Sequence, residues 1–182
     1  QVLEFARSKS DRPGRELEPV SVADAVGEAV AACQPLVDAS GCRVETVIPD
    51  SLPPALAERR ALAHAIQNLL TNAIKYGGGR ASVAASARGE WIEIRVADHG
   101  PGIPPDELPH VFEPFFRGRR AIDEQVHGTG LGLALVKSAV ESFGGEVEVR
   151  SRPGELTEFM VRLRAASQQA TAAEPAVRGD AA

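Results

Sequence analysis

The sequence is short of the residues that most often announce a metal site or a disulfide scaffold. It holds two cysteines, Cys33 and Cys42, in no CxxC or metal-like spacing. A cysteine-stapled architecture is therefore excluded, and both read as reduced structural thiols of a cytoplasmic domain. Aromatic residues make up only 4%, with one tryptophan and one tyrosine. No apolar run approaches the length that crosses a bilayer and no signal-peptide pattern opens the chain, so no membrane contact is expected. A basic excess is missing too. The 20 Lys and Arg stand against 25 Asp and Glu, a net charge of −5 with a pI near 5.4, which argues against nucleic acid as a partner. The first residue is Gln1 rather than Met, so the chain reads as a piece of a longer protein.

What is present suffices for one core. Hydrophobic residues make up 43% of 182 and charged residues 25%, the balance of one soluble domain with tails. Residues 1–18 open with Val2, Leu3 and Phe5 and pass into a charged Pro/Gly linker, the end of an element whose body lies elsewhere. A domain is expected over 19–164, and alanine-rich 165–182 reads as a disordered tail. Ser21 is a candidate N-cap for a helix from Val22 to Ala39 that Gly41 stops. "CRVETVIP" alternates like a strand, and proline-rich "DSLPPALA" connects it to a second helix from Glu58 to Tyr76. There Leu62, Ile66, Leu69, Ala73 and Ile74 recur on one face.

"RASVAASARGEWIEIRVADHG" reads as a hairpin, because Ile92, Ile94 and Val96 alternate with Trp91, Glu93 and Arg95. In the loop that follows, Phe112, Phe115 and Phe116 are expected to anchor in the core the base of a mobile polar flap, "RRAIDEQVHG". A helix from Leu131 to Phe143 and a last hairpin, "GGEVEVRSRPGELTEFMVRLR", complete an α/β sandwich with helices on one face of a sheet.

Four stretches carry polar or permissive residues that packing alone does not request. Asn68 and Asn72 lie four apart on the second helix, so their amides share a face, with Lys75 and Tyr76 one turn on. Asparagine is a mediocre helix former, and its amide oxygen suits a Mg²⁺ that already carries phosphate oxygens. A solvent-facing pair would look the same. Asp98 ends a strand before Gly100 and Gly102; a carboxylate there accepts from an exocyclic amine such as that of adenine, or simply makes a turn. Arg117 closes "FEPFFRG" and is a candidate for phosphate pairing. In "HGTGLGLAL", Gly128, Gly130 and Gly132 precede a helix start, which describes either an anion cradle or a glycine-rich turn into a buried helix.

In this order "NLLTNAIKY", "DHGPG", "FEPFFRG" and "GTGLGLAL" resemble the N, G1, F and G2 boxes of the catalytic ATP-binding domain of bacterial sensor histidine kinases. That domain belongs to a superfamily with gyrase, MutL and the heat-shock chaperone ATPases. The resemblance covers about Pro19 to Leu163. It implies the Bergerat fold, a two-layer α/β (α+β) sandwich of a mixed, mostly antiparallel sheet with three helices on one face, binding ATP and Mg²⁺. Carried over, Asn72 binds the metal and Asn68 faces phosphates and metal, while Lys75 supports the phosphates; Asn68 and Lys75 are the catalytic pair. Tyr76 packs near the base and Asp98 holds the adenine amine. Gly100, Gly102 and Ile103 shape the pocket, and Arg117, Gly128, Thr129, Gly130, Leu131 and Gly132 complete the nucleotide contacts.

The resemblance further implies partners: a phosphoacceptor and dimerisation domain of the same protein, then the receiver domain of a response regulator. The fragment is expected to be monomeric, within a full-length homodimer. Asn68 stands where gyrase-like relatives carry a water-activating glutamate, and an amide has no such basicity. ATP is therefore expected to be held for transfer rather than hydrolysed. Three departures stand out. His99 replaces the usual asparagine, Leu156 replaces a common glycine in "GELTEF", and none of His64, His99, His110 and His127 precedes an acidic residue as a phosphoacceptor does. The alternative is a degenerate nucleotide-binding or docking module without phosphotransfer. A dinucleotide oxidoreductase fits poorly, since "GTGLGL" lacks GxGxxG spacing.

Overall fold

A computed structural model describes residues 17–123 and 128–166. The expected helical remnant at the N-terminus, the later part of the flap with His127, and the tail from 167 onward lie outside the described residues. Seven strands and four α-helices follow in the order β1 (Glu18–Val20), α1 (Val22–Ser40), β2 (Arg43–Val47), β3 (Ala55–Ala57), α2 (Arg59–Tyr76), β4 (Arg80–Arg88), β5 (Trp91–Asp98), α3 (Arg119–Asp123), α4 (Gly132–Ser142), β6 (Glu146–Arg152) and β7 (Leu156–Arg164).

The main sheet has the order β2-β4-β5-β7-β6. Only the β2–β4 pair is parallel; the others are antiparallel. Helices α1, α2 and α4 form the second layer. α2 is central, packed between α1 and α4 and lying over β4 and β5, while α4 lies over β6 and β7. This is the mixed, mostly antiparallel sheet with three covering helices that the family resemblance implies.

Period-two alternation explains the core. On β5, Ile92, Ile94 and Val96 point inward, and on β7 Phe159, Val161 and Leu163 meet them in register. Against them lies the apolar stripe of α2: Leu62, Ile66, Leu69 and Leu70, none more than 1% exposed. Each such side chain contributes about 1.5–3 kcal/mol on burial. The inward rows do not end in apolar residues. The next inward places are Asp98 on β5 and Thr157 on β7, paired across the strands and both buried. The outer sheet face is less open than alternation suggests, because Glu93 is buried beneath Arg88, Arg95 and Arg162.

Helix boundaries follow their caps. The Ser21 hydroxyl accepts from the Asp24 amide, and Gly41 closes α1 in the left-handed region with its N–H on the Val37 carbonyl. Cys33 and Cys42 are free and buried, and burial pushes both thiols up.

Two features depart from the sequence reading. First, β1 and β3 form a small antiparallel sheet, Pro19 opposite Leu56, where a linker and a proline-rich connection are expected. Ala55 also bridges Ala165, and the Ala166 amide donates to the Pro54 carbonyl, so the chain stays packed just beyond the end of β7. Strands of three residues are too short for alternation to register, and Pro19, Pro53 and Pro54 disguise them further. Second, the segment read as a mobile polar flap begins as a short helix, α3, which the sequence reading does not include.

Leu69→Ala, which empties a fully buried site under the central helix, is expected to cost about 2–5 kcal/mol in urea unfolding.

Candidate functional site

The site forms where the end of α2 meets the end of β5. A Cβ on Gly100 would lie 2.0 Å from the Tyr76 carbonyl oxygen, and one on Gly77 would lie 2.6 Å from the Asp98 Cβ. Only residues without a Cβ let these two chain ends touch. One Asp98 oxygen accepts from the Gly100 amide at 2.9 Å, which fixes the carboxylate at the mouth of the buried row. The loop beyond is tied to the last hairpin: Ile103 N–H donates to Ser151 Oγ at 2.9 Å, and Ser151 meets the Thr157 hydroxyl at 3.0 Å.

Above this junction a cavity of about 230 Å³ opens between α2, α4, the β5–α3 segment and the start of β7. Its wall includes Asn68, Asn72, Lys75, Tyr76, Asp98, Gly102, Ile103, Arg117, Gly128, Thr129, Gly130 and Gly132. Gly100 and Leu131 are not in the wall. Gly100 serves the junction beneath it, and Leu131 is fully buried one residue before α4. Asn68 stands eight residues before Tyr76 on α2, about 12 Å along the axis at 1.5 Å per residue. The wall therefore carries an amide end and, near Tyr76 and Gly77, a carboxylate end.

Local contacts orient these groups. Asn68 Nδ2 donates to the His64 carbonyl at 3.0 Å, and Asn68 Oδ1 lies 3.1 Å from where a Cβ on Gly132 would stand. The amide nitrogen is thus used within the helix and the acceptor oxygen faces the start of α4. Burial is the largest effect on Tyr76 and raises its phenol, while nearby Arg117 lowers it. Arg117 donates to the Ala121 carbonyl at 3.0 Å, so its guanidinium folds back over α3.

Gly130, expected as part of an anion cradle, has a packing duty as well. Its φ is +70°, a Cβ would lie 2.6 Å from the Phe115 carbonyl carbon, and its carbonyl accepts from the Phe115 amide at 2.9 Å. That contact corrects the expectation for the phenylalanines. Phe112 packs edge-on to Phe159 at 6.1 Å and Phe116 lines the cavity. Phe115, however, is 64% exposed. Its own φ of +66°, held by the bond to Gly130, turns the ring outward instead of into the core.

Sequence reasoning misses Thr71, Glu107, Arg120 and Thr157, which also line the cavity. Thr157 is legible from the alternation of "LTEFMVRLR" once its register with Asp98 is known. Glu107 carries no local signal, since its partner Arg119 lies twelve residues on.

Comparison with known proteins decides the family. Residues 57–167 match the histidine kinase-, DNA gyrase B-, and HSP90-like ATPases. The chain belongs to this family. Among curated relatives it is 35% identical over 167 residues to the sensor-like histidine kinase SenX3 of Mycobacterium tuberculosis, covering 91% of this chain and 40% of that protein. It is 32% identical over 164 residues to the sensor histidine kinase RcsC of Escherichia coli, covering 89% of this chain and 17% of that protein. The chain thus spans less than half of either kinase.

Among solved structures, full-length ShkA in complex with AMPPNP superimposes with a TM-score of 0.78 at 29% identity, over 91% of this chain and 35% of that one. The mycobacterial sensor histidine kinase MprB gives 0.68 at 28%, over 81% of this chain and 98% of that one. These matches meet the expectation of a catalytic ATP-binding domain of the sensor histidine kinase type. Among the described residues, no helix is long and apolar enough to cross a membrane.

Two outcomes follow from the junction. Gly100→Ala places a methyl against rigid backbone and is expected to cost about 1–3 kcal/mol of stability, read by thermal melts. Asp98 gives the second. Burial raises its carboxyl above the ordinary range, against smaller opposing pulls from the Gly100 amide and His99. A raised carboxyl stabilises the fold while neutral, and that contribution is lost as pH rises through the folded value. Asp98→Asn is therefore expected to melt higher than the parent near pH 7.5, roughly 2–4 °C per kcal/mol relieved, with the gain vanishing in acid.

Proposed function

We propose that this chain holds Mg²⁺-ATP in the cavity for transfer of the γ-phosphate to a histidine on a phosphoacceptor and dimerisation domain of the same protein, for relay to a response regulator. The observation that carries the reading is the division of the wall. Asp98 lies at one end, beside Tyr76, and the Asn68 amide at the other, about 12 Å from Tyr76 along α2 with the Asn72 amide midway, a span that takes base, ribose and phosphates in a row. The AMPPNP in the ShkA complex supports the same ligand class.

In this reading Asp98 accepts from the adenine amine, and Tyr76, Gly102 and Ile103 enclose the base. Lys75 and Arg117 meet the phosphates, as do Gly128, Thr129, Gly130 and Gly132 at the approach to α4. Gly100 and Leu131 act one layer back, as supports. The metal would be held by the Asn72 and Asn68 amide oxygens together with phosphate oxygens, and bound Mg²⁺ supplies charge neutralisation at the transferred phosphoryl group. The orientation of Asn68 fits this, because its acceptor rather than its donor faces the start of α4.

No general base for water stands at Asn68, so binding is separated from hydrolysis. Wild-type chain titrated calorimetrically with ATP is expected to bind more tightly with Mg²⁺ than without. Asn72→Ala is expected to abolish that metal-dependent gain while leaving metal-free binding near the parent's. With labelled ATP, a separately supplied phosphoacceptor domain is expected to acquire phosphate and the chain alone to remain unlabelled. Rapid release of inorganic phosphate by the chain alone, lost in Asp98→Asn but retained in Asn68→Ala, would instead make it a hydrolase. Binding without transfer to the supplied domain would leave a nucleotide-sensing docking module.

A further inference from the structure

Glu107 is a carboxylate in the wall of a cavity read as a phosphate site, where its charge opposes the ligand unless it is engaged elsewhere. It is only 9% exposed. Its Oε1 accepts twice from one residue: the Arg119 backbone N–H at 3.1 Å and the Arg119 Nε at 3.1 Å. The Arg119 guanidinium also pairs with Asp106. Arg119 is the first residue of α3, so Glu107 supplies from twelve residues away the acceptor that a local N-cap usually provides. The other carboxylate oxygen rests on Gly118, where a Cβ would come within 2.4 Å of Oε2.

The short helix begun in this way is a platform. Its Ala121 carbonyl receives Arg117, and Arg120 stands on it; both arginines line the cavity. The sequence "RGRR" is thereby divided. Arg117 and Arg120 belong to the cavity wall, and Arg119 is drawn to the acidic pair Asp106 and Glu107. An exposed ion pair alone has little energetic weight, but a buried carboxylate bonded to a backbone donor fixes the chain itself.

We propose that Glu107 is a positioning residue for the phosphate end of the site: by capping α3 from a distance, it sets where Arg117 and Arg120 meet the phosphates. The proposal rests on the nucleotide reading above and deepens it. Glu107 touches no reacting atom. It acts on affinity for the charged part of the ligand and leaves the base and ribose contacts alone.

The test is calorimetric titration of the whole chain with Mg²⁺-ATP and, separately, with adenosine. Glu107→Ala is expected to weaken ATP binding roughly tenfold, the equivalent of one lost charge-assisted hydrogen bond, and adenosine binding less than about twofold. Glu107→Gln, whose amide oxygen still accepts from the Arg119 N–H, is expected to recover most of the loss. Gly118→Ala moves the carboxylate without altering it and is expected to reproduce the defect, while Glu107→Ala with Gly118→Ala is no worse than Glu107→Ala alone. In an Arg117→Ala, Arg120→Ala background, Glu107→Ala is expected to have no further effect.

An equal loss for ATP and adenosine, an unchanged ATP affinity, or a full additional loss in the arginine-free background would each overturn the positioning role. Those results would leave the nucleotide site standing. Failure of the unsubstituted chain to bind either ligand would overturn the site, and the proposal with it.

Discussion

The site depends on one steric condition: the backbone at the end of α2 must touch the backbone at the end of β5. Gly77 and Gly100 meet it by having nothing where a side chain would stand, so that the Tyr76 carbonyl and the 98–100 turn come into direct contact. Everything that follows is geometry built on that touch. It brings a helix face with two amides and a strand end with one carboxylate into a common wall, and it does so inside the core rather than on a mobile loop. A functional group placed at the last position of a buried row inherits the rigidity of that row. Asp98 and Thr157 are in this sense the polar last members of two core rows, set in the cavity wall.

That inheritance explains why so much is legible in the sequence. Long elements with clear periods, α2 through Leu62, Ile66 and Leu69, and β5 through Ile92, Ile94 and Val96, announce themselves because each repeats the same environment several times. The polar residues set into them, Asn68, Asn72 and Asp98, are visible as interruptions of that repetition. The unread parts are those in which no repetition exists. β1 and β3 are too short to show a period. Phe115 is misread because hydrophobicity forecasts burial, while a single left-handed backbone bonded to Gly130 overrules it. Glu107 and Arg119 are unreadable for a different reason: a cap supplied from twelve residues away has no signature at the helix it caps.

Charge is distributed on the same local terms. The chain is acidic overall, with a net charge of −5, yet the cavity wall gathers Lys75, Arg117 and Arg120. The acidic excess lies elsewhere, and where a carboxylate does enter the wall it is bound, Asp98 to the Gly100 amide and Glu107 to Arg119. Global charge says little about the ligand here; the local partners of each ionised group say more. The outer sheet face obeys the same rule, with Glu93 buried only because Arg88, Arg95 and Arg162 surround it.

The strand pairing has a consequence for the length of the chain. β5 pairs with β7, so the whole stretch from His99 to Glu155 is an excursion between two adjacent strands, and among the described residues none from His99 to Leu131 belongs to the sheet. The entropy of closing such an excursion grows only logarithmically, about 0.6 kcal/mol for each doubling. Residues added or removed at its exposed positions change the stability of the sandwich very little, so long as the Gly100 junction, the Ile103–Ser151 bond, buried Val111 and Leu131, the Glu107–Arg119 pair and the Phe115–Gly130 contact are kept. The core fixes a frame, and this one segment is where insertions and deletions can reshape what surrounds the ligand without the frame registering the change.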